Sequence, residues 1–144
     1  MENPKIKELT ILIEQYIPRG EVESILRALD FSKKAHLNQK RKSGEPYINH
    51  PIEVSKLLAG IKLDTSSIIA GLLHDTVEDT KSSLDEIKNN FGTEVSTLVD
   101  GLTKINNYSL KVNNLKLGEN YRKLLLATTK DLRVILIKLA DRLH

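Results

Sequence analysis

Apolar residues recur at three- and four-residue intervals along most of the chain, the spacing of one helix face. Ile6, Leu9, Ile13 and Tyr16 predict a helix over 5–16, and Pro18-Arg19-Gly20 breaks it. Val22, Ile25, Leu26, Leu29 and Ala35 mark a second helix over about 21–38. Residues 40–49 contain Gly44 and Pro46, show no period and read as a loop. Pro51 suits the first turn of a third helix, which runs to about Ala59 with Gly60 as its C-terminal cap. Asp64 or Thr65 caps the next helix, which carries Ile68, Ile69, Leu72, Leu73 and Val77. Ser83-Leu84-Asp85-Glu86 has capping-box spacing and opens a short helix closed by Phe91-Gly92. A helix over 93–102, an Asn- and Lys-rich loop over 108–118, and helices over 119–128 and 131–144 complete the chain. No internal repeat, convincing strand or linker interrupts this order. The expected fold is an all-α bundle in a single domain.

Composition narrows the class only modestly. A chain of 144 residues has room for one domain with a sizeable core. The absence of cysteine excludes disulfides and thiolate metal sites. The first residues are polar and charged, so no signal peptide is visible. No apolar run approaches the roughly 20 residues that a membrane span needs, so no membrane partner is expected and the expected location is cytoplasmic. A net charge of +3 is too weak to argue for nucleic acid. The basic run Lys40-Arg41-Lys42 has no interleaved aromatics, and aromatics are only 4% of the chain, so a nucleic-acid partner is not expected. A phosphorylated small molecule suits the charge equally well.

The chemistry concentrates in Gly71-Leu72-Leu73-His74-Asp75-Thr76-Val77-Glu78-Asp79. On a continuous helix, His74, Asp75, Glu78 and Asp79 fall on one arc beside an apolar face. They lie near the helix C-terminus, where the macrodipole disfavours negative charge. A bound divalent cation is the simplest compensation; a solvated acidic face is the alternative for Glu78 and Asp79.

The last helix repeats the pattern. Leu132, Ile135, Leu136, Leu139 and Leu143 form one apolar stripe, and Val134 and Ile137 lie opposite, with Asp141 continuing their line. A helix apolar on two sides is usually buried. A carboxylate at Asp141 then needs a cation, either a base such as Lys138 or a metal. His50, in Tyr47-Ile48-Asn49-His50-Pro51, stands at a helix entry and can aim across a cleft. Two His and two Asp supply mixed nitrogen and oxygen ligation, which suits Mn, Fe or Zn better than Mg or Ca. Lys40, Arg41 and Lys42 can neutralise phosphates, and an Arg plane can stack on a purine; a solvated basic loop is the alternative.

Three segments carry a family resemblance: Arg41-Lys42-Ser43-Gly44-Glu45-Pro46-Tyr47-Ile48-Asn49-His50-Pro51, His74-Asp75-Thr76-Val77-Glu78-Asp79-Thr80, and Leu139-Ala140-Asp141-Arg142-Leu143-His144. In order and separation they resemble the HD hydrolase domain of the Rel/Spo homologue family, the bacterial enzymes of the (p)ppGpp alarmone. Asp100-Gly101-Leu102-Thr103-Lys104 resembles a further segment. The resemblance implies an HD-domain helical bundle over 1–144 that removes pyrophosphate from the 3′ position of ppGpp or pppGpp. It implies His50, His74, Asp75 and Asp141 as ligands of Mn²⁺, Glu78 and Asp79 as the catalytic acidic pair, and Arg41, Lys42 and Ser43 as guanine-nucleotide contacts. The intact His-Asp-x-x-Glu-Asp stretch favours a working hydrolase. A non-catalytic nucleotide-binding or regulatory HD module, or an HD phosphohydrolase of another nucleotide, is the alternative. In the family an Asn and further helices follow the Asp-Arg-Leu-His stretch, so C-terminal helices of the domain are expected to be missing here.

Overall fold

The computed structural model describes the backbone of residues 3–111 and 131–144, and the side chains of residues 3–106 and 131–144. Among the described residues eight helices follow one another: α1 (Pro4–Glu14), α2 (Arg19–Ala35), α3 (Asn49–Gly60), α4 (Thr65–Leu73), α5 (Thr76–Asp79), α6 (Leu84–Phe91), α7 (Thr93–Lys111) and α8 (Leu132–Leu143). They contain no strand; Lys40 and Pro46 form one isolated antiparallel bridge inside the 36–48 loop. The all-α, single-domain expectation holds. No described helix is long and apolar enough to cross a membrane.

Local chemistry explains where the helices start. The Asn3 side chain accepts from the Lys5 amide, Ser83 from Glu86, and Asp131 from Arg133; each satisfies a donor that the first turn leaves open. Gly92, at φ 97°, ends α6 in a conformation that L side chains rarely adopt. The end of α3 departs from expectation. Gly60 stays helical, Ile61 is the cap, and Lys62 takes the left-handed turn at φ 58°. Lys62 donates its amide to the Ala59 carbonyl and Leu63 to Leu58, which closes the helix without a glycine.

α4 is the central element. Every residue from Ser67 to Leu73 is buried, and the helix packs against α2, α3, α7 and α8. Its approach to α3 is close: a Cβ on Gly71 would lie 2.9 Å from both Leu58 Cδ1 and Ser55 Oγ. Ser55 is fully buried and donates to the Ile68 carbonyl at 3.1 Å, so even its hydroxyl joins the two helices. Arg133 fixes the start of α8, reaching Asp131 at 2.7 Å, Asp64 at the head of α4 at 2.8 Å and Glu94 on α7 at 2.5 Å.

Three further expectations are revised. The helix carrying His74 and Asp75 is not continuous: α4 ends at Leu73, and Asp75 precedes the single turn of α5. The His74 ring meets the Gly71 carbonyl at 2.6 Å, and the Thr76 hydroxyl donates to the Leu73 carbonyl at 2.8 Å. These side chains compete for acceptors that the amides of residues 75 and 77 would use in an unbroken helix. In α8 the buried side is Val134, Ile137 and Ala140, whereas Leu132, Leu139 and Leu143 of the longer stripe are exposed. The helix over 93–102 runs on to Lys111, so residues 108–111 of the expected loop are helical. The rest of that loop and the helix over 119–128 lie outside the described residues.

Candidate metal centre

His50, His74, Asp75 and Asp141 meet at one place. Each offers one ligand atom, and the four atoms lie within 4.8 Å of one another. His50 comes from the first turn of α3, His74 caps the end of α4, Asp75 opens α5, and Asp141 comes from α8. Asp141 Oδ1 lies 2.6 Å from His50 Nε2 and 3.2 Å from His74 Nε2, and Asp75 Oδ2 lies 2.9 Å from His74 Nε2. His74 is 2% exposed, His50 6% and Asp75 9%, so these groups have left water and depend on one another for compensation.

The donors fit a divalent cation. Atoms about 2.1 Å from one ion lie at most about 4.2 Å apart, so a spread of 4.8 Å needs only a small inward adjustment. His74 is oriented for the role. Its Nδ1 faces the Gly71 carbonyl at 2.6 Å, which places the proton there and turns Nε2 toward the carboxylates, the arrangement typical of a metal-bound imidazole. An Nε2 ligand at His50 likewise keeps its proton on Nδ1, which lies 3.0 Å from His144 Nδ1. The two rings stack with centroids 5.2 Å apart.

The charges point the same way. Burial disfavours a charged His74, yet Asp75 and Asp141 outweigh it and push the imidazole up to about 10. Burial would raise the Asp141 carboxyl, but hydrogen bonds from His50 and His74 hold it well below the usual carboxylate range. Asp75 is also lowered, its burial outweighed by His74. Without a metal His74 holds its ring protons tightly, because Asp75 and Asp141 both favour the imidazolium. A divalent cation would take the place of the Nε2 proton.

Around the four groups stands a polar shell that spacing alone does not reveal. The Tyr47 hydroxyl donates to Asp75 Oδ2 at 2.5 Å and lies 3.3 Å from Asp79 Oδ2. Lys138, one turn before Asp141, donates to its Oδ2 at 3.1 Å, so the base considered as an alternative to a metal is present together with the cluster. Glu78 and Asp79 follow on α5 and are exposed at the rim. Burial and the nearby Asp75 and Asp79 raise Glu78, although Asn106 donates to both of its oxygens at 3.3 Å. Burial and Asp75 likewise raise Asp79. Of the basic loop, Arg41 reaches the site: its Nη1 lies 3.3 Å from His144 Nδ1. Lys42 and Ser43 are exposed on the same loop.

Tyr47, Asn106 and His144 are the neighbours that motif spacing does not single out in these roles. Tyr47 had one available signal, its place three residues before His50. Asn106 had none, because its partners come from two other helices.

An all-helical bundle with two imidazoles and two carboxylates gathered from separate helices defines a domain built around a group able to hold a divalent cation. The chain belongs to the HD domain family, which it matches over residues 28–144. It is 54% identical over 137 residues to the guanosine-3′,5′-bis(diphosphate) 3′-pyrophosphohydrolase of Aquifex aeolicus, covering 95% of this chain and 19% of that protein. It is 47% identical over 135 residues to a GTP pyrophosphokinase of Myxococcus xanthus, covering 92% of this chain and 18% of the relative. Identity to the bifunctional (p)ppGpp synthase/hydrolase SpoT of Escherichia coli is 41% over 138 residues, covering 96% and 20%. The chain thus spans about a fifth of the length of these curated relatives. A solved structure, described as a metazoan orthologue of SpoT that hydrolyses ppGpp, matches with a TM-score of 0.63 and 31% identity, covering 83% of this chain and 66% of that one. The Rel/Spo resemblance drawn from the motifs is therefore borne out.

Proposed function

We propose that the chain is a Mn²⁺-dependent 3′-pyrophosphohydrolase domain acting on ppGpp or pppGpp. The observation that carries this reading is the convergence of His50, His74, Asp75 and Asp141 within 4.8 Å, with Glu78 and Asp79 at the rim. The named activity of the Aquifex aeolicus relative and of the metazoan structure supports the substrate class. The mixed nitrogen and oxygen donor set supports a borderline transition metal over Mg or Ca.

The reaction adds water across the bond between the ribose 3′ oxygen and its pyrophosphate, giving GDP or GTP and pyrophosphate. A Mn²⁺ ion held by His50, His74, Asp75 and Asp141 would supply Lewis acidity, acidifying water and polarising a phosphoryl oxygen. Glu78 and Asp79 are the groups for proton handling. Their raised pKa values bring them closer to working pH, where a carboxyl can both accept and return a proton. Arg41, Lys42 and Ser43 form the side that receives the guanine nucleotide. Arg41 supports this assignment most directly, since it already reaches the cluster through His144.

The protein is proposed to be cytoplasmic.

Selectivity tests the substrate assignment. ppGpp, a 5′-nucleoside diphosphate and a cyclic nucleotide are offered to the chain with saturating Mn²⁺, and products are resolved by anion exchange. Turnover confined to ppGpp is expected. Equal turnover of the cyclic nucleotide would assign a different HD phosphohydrolase activity, and tight ppGpp binding with no turnover would assign a regulatory module.

A further inference from the structure

Three helices meet at a chain of side chains that the motifs do not account for. On α8, Lys138 Nζ donates to Asp141 Oδ2 at 3.1 Å and to Asn106 Oδ1 at 2.5 Å. On α7, Asn106 Nδ2 donates to both oxygens of Glu78 on α5, each at 3.3 Å. The Lys138 side chain is only 16% exposed, so its ammonium is committed to these two acceptors. The orientation of the Asn106 amide follows from chemistry. An ammonium only donates, so the amide atom facing Lys138 is the oxygen, and the NH₂ group faces Glu78. A flipped amide would set NH₂ against the ammonium and oxygen against the carboxylate.

We infer that Asn106, oriented by Lys138, is a positioning residue for Glu78, aligning that carboxylate with the Asp141 side of the metal site through one hydrogen-bonded chain. The inference rests on the reading of Glu78 as a proton-handling group. Glu78 needs such support. It sits exposed on the single turn of α5, just past the break at residues 74–75, where helix packing constrains its rotamer little. A group that must meet a water at hydrogen-bond distance loses rate when it samples other positions. The donation from Asn106 also favours the charged carboxylate. Lys138 acts in the same direction, while burial, Asp75 and Asp79 act against it.

The variants Asn106→Ala and Asn106→Asp test this in the full chain. Two quantities are measured: the titration of the Glu78 carboxyl by carbon-13 NMR without metal, and kcat and KM for ppGpp at saturating Mn²⁺. In both variants the Glu78 carboxyl is expected to titrate about half a unit or more above the wild-type chain. kcat is expected to fall about tenfold, with KM within about twofold and the half-saturating Mn²⁺ concentration unchanged. Asn106→Asp is the sharper variant, because it keeps the contact with Lys138 but offers Glu78 no donor. The inference is overturned by an unchanged Glu78 titration, by an unchanged kcat, or by Asn106→Asp behaving as the wild type. A wild-type chain inactive on ppGpp would instead count against the proposed activity, and the NMR titration would still decide whether Asn106 holds Glu78.

Discussion

The Tyr47 hydroxyl lies 2.5 Å from Asp75 Oδ2 and 3.3 Å from Asp79 Oδ2, so one phenol spans the His-Asp cluster and its acidic rim. Burial and the two carboxylates hold this phenol far above its ordinary range, so it stays protonated and remains a donor at any working pH. Tyr47→Phe keeps the ring against His36, whose centroid is 4.6 Å away, and removes only the donor. Metal affinity or turnover is expected to fall about 10- to 100-fold, as on loss of other groups that orient a ligand. Calorimetric titration with Mn²⁺ and initial rates measure the two effects. Wild-type values for both would remove Tyr47 from the site.

Glu78→Gln is expected to leave Mn²⁺ binding intact and to cut turnover by about a hundredfold or more. The pH profile carries the sign. A base works deprotonated, so the rate falls as pH drops through the Glu78 pKa, which burial places above the usual glutamate value. The acid limb of the rate profile should therefore lie above that of an ordinary carboxylate and disappear from the residual activity of Glu78→Gln. A profile that keeps its acid limb in the variant assigns the limb to another group.

Gly71→Ala tests the packing that brings α3 and α4 together. The new methyl would lie 2.9 Å from Leu58 Cδ1 and from Ser55 Oγ, both fully buried, so neither neighbour can yield into solvent. Overpacking of this kind costs about 1–3 kcal/mol, or roughly 3–10 °C in Tm for a chain of this size. Thermal unfolding followed by circular dichroism measures it. An unchanged Tm would mean that the helices can part without cost.

The helices and the four convergent groups were legible from sequence because each leaves a local trace. Pro18, the Ser83 capping box and Gly92 mark boundaries by backbone chemistry. His74-Asp75 and Asp141 stand out because charge beside apolar stripes demands compensation, whereas His50 stands out by its place at a helix entry and by the family resemblance. The break between α4 and α5 left no such trace. It has neither proline nor glycine, and depends on the His74 ring and the Thr76 hydroxyl meeting the Gly71 and Leu73 carbonyls. The side of α8 that turns inward was also hidden, because both of its faces are apolar, and its packing against α3, α4 and α7, which buries Val134, Ile137 and Ala140, decides between them. Lys138, Asn106 and Glu78 share a hydrogen-bonded chain across three helices, a relation that periodicity within one helix cannot express.

The most direct test of the account is pyrophosphate release from ppGpp by the chain, measured with Mn²⁺, with chelator, and in the variant Asp75→Asn. Release that requires Mn²⁺, and that disappears in Asp75→Asn together with metal binding, is the predicted result. Release that persists in chelator, or in Asp75→Asn at wild-type rate, would contradict a metal-dependent reaction at the His50, His74, Asp75 and Asp141 cluster.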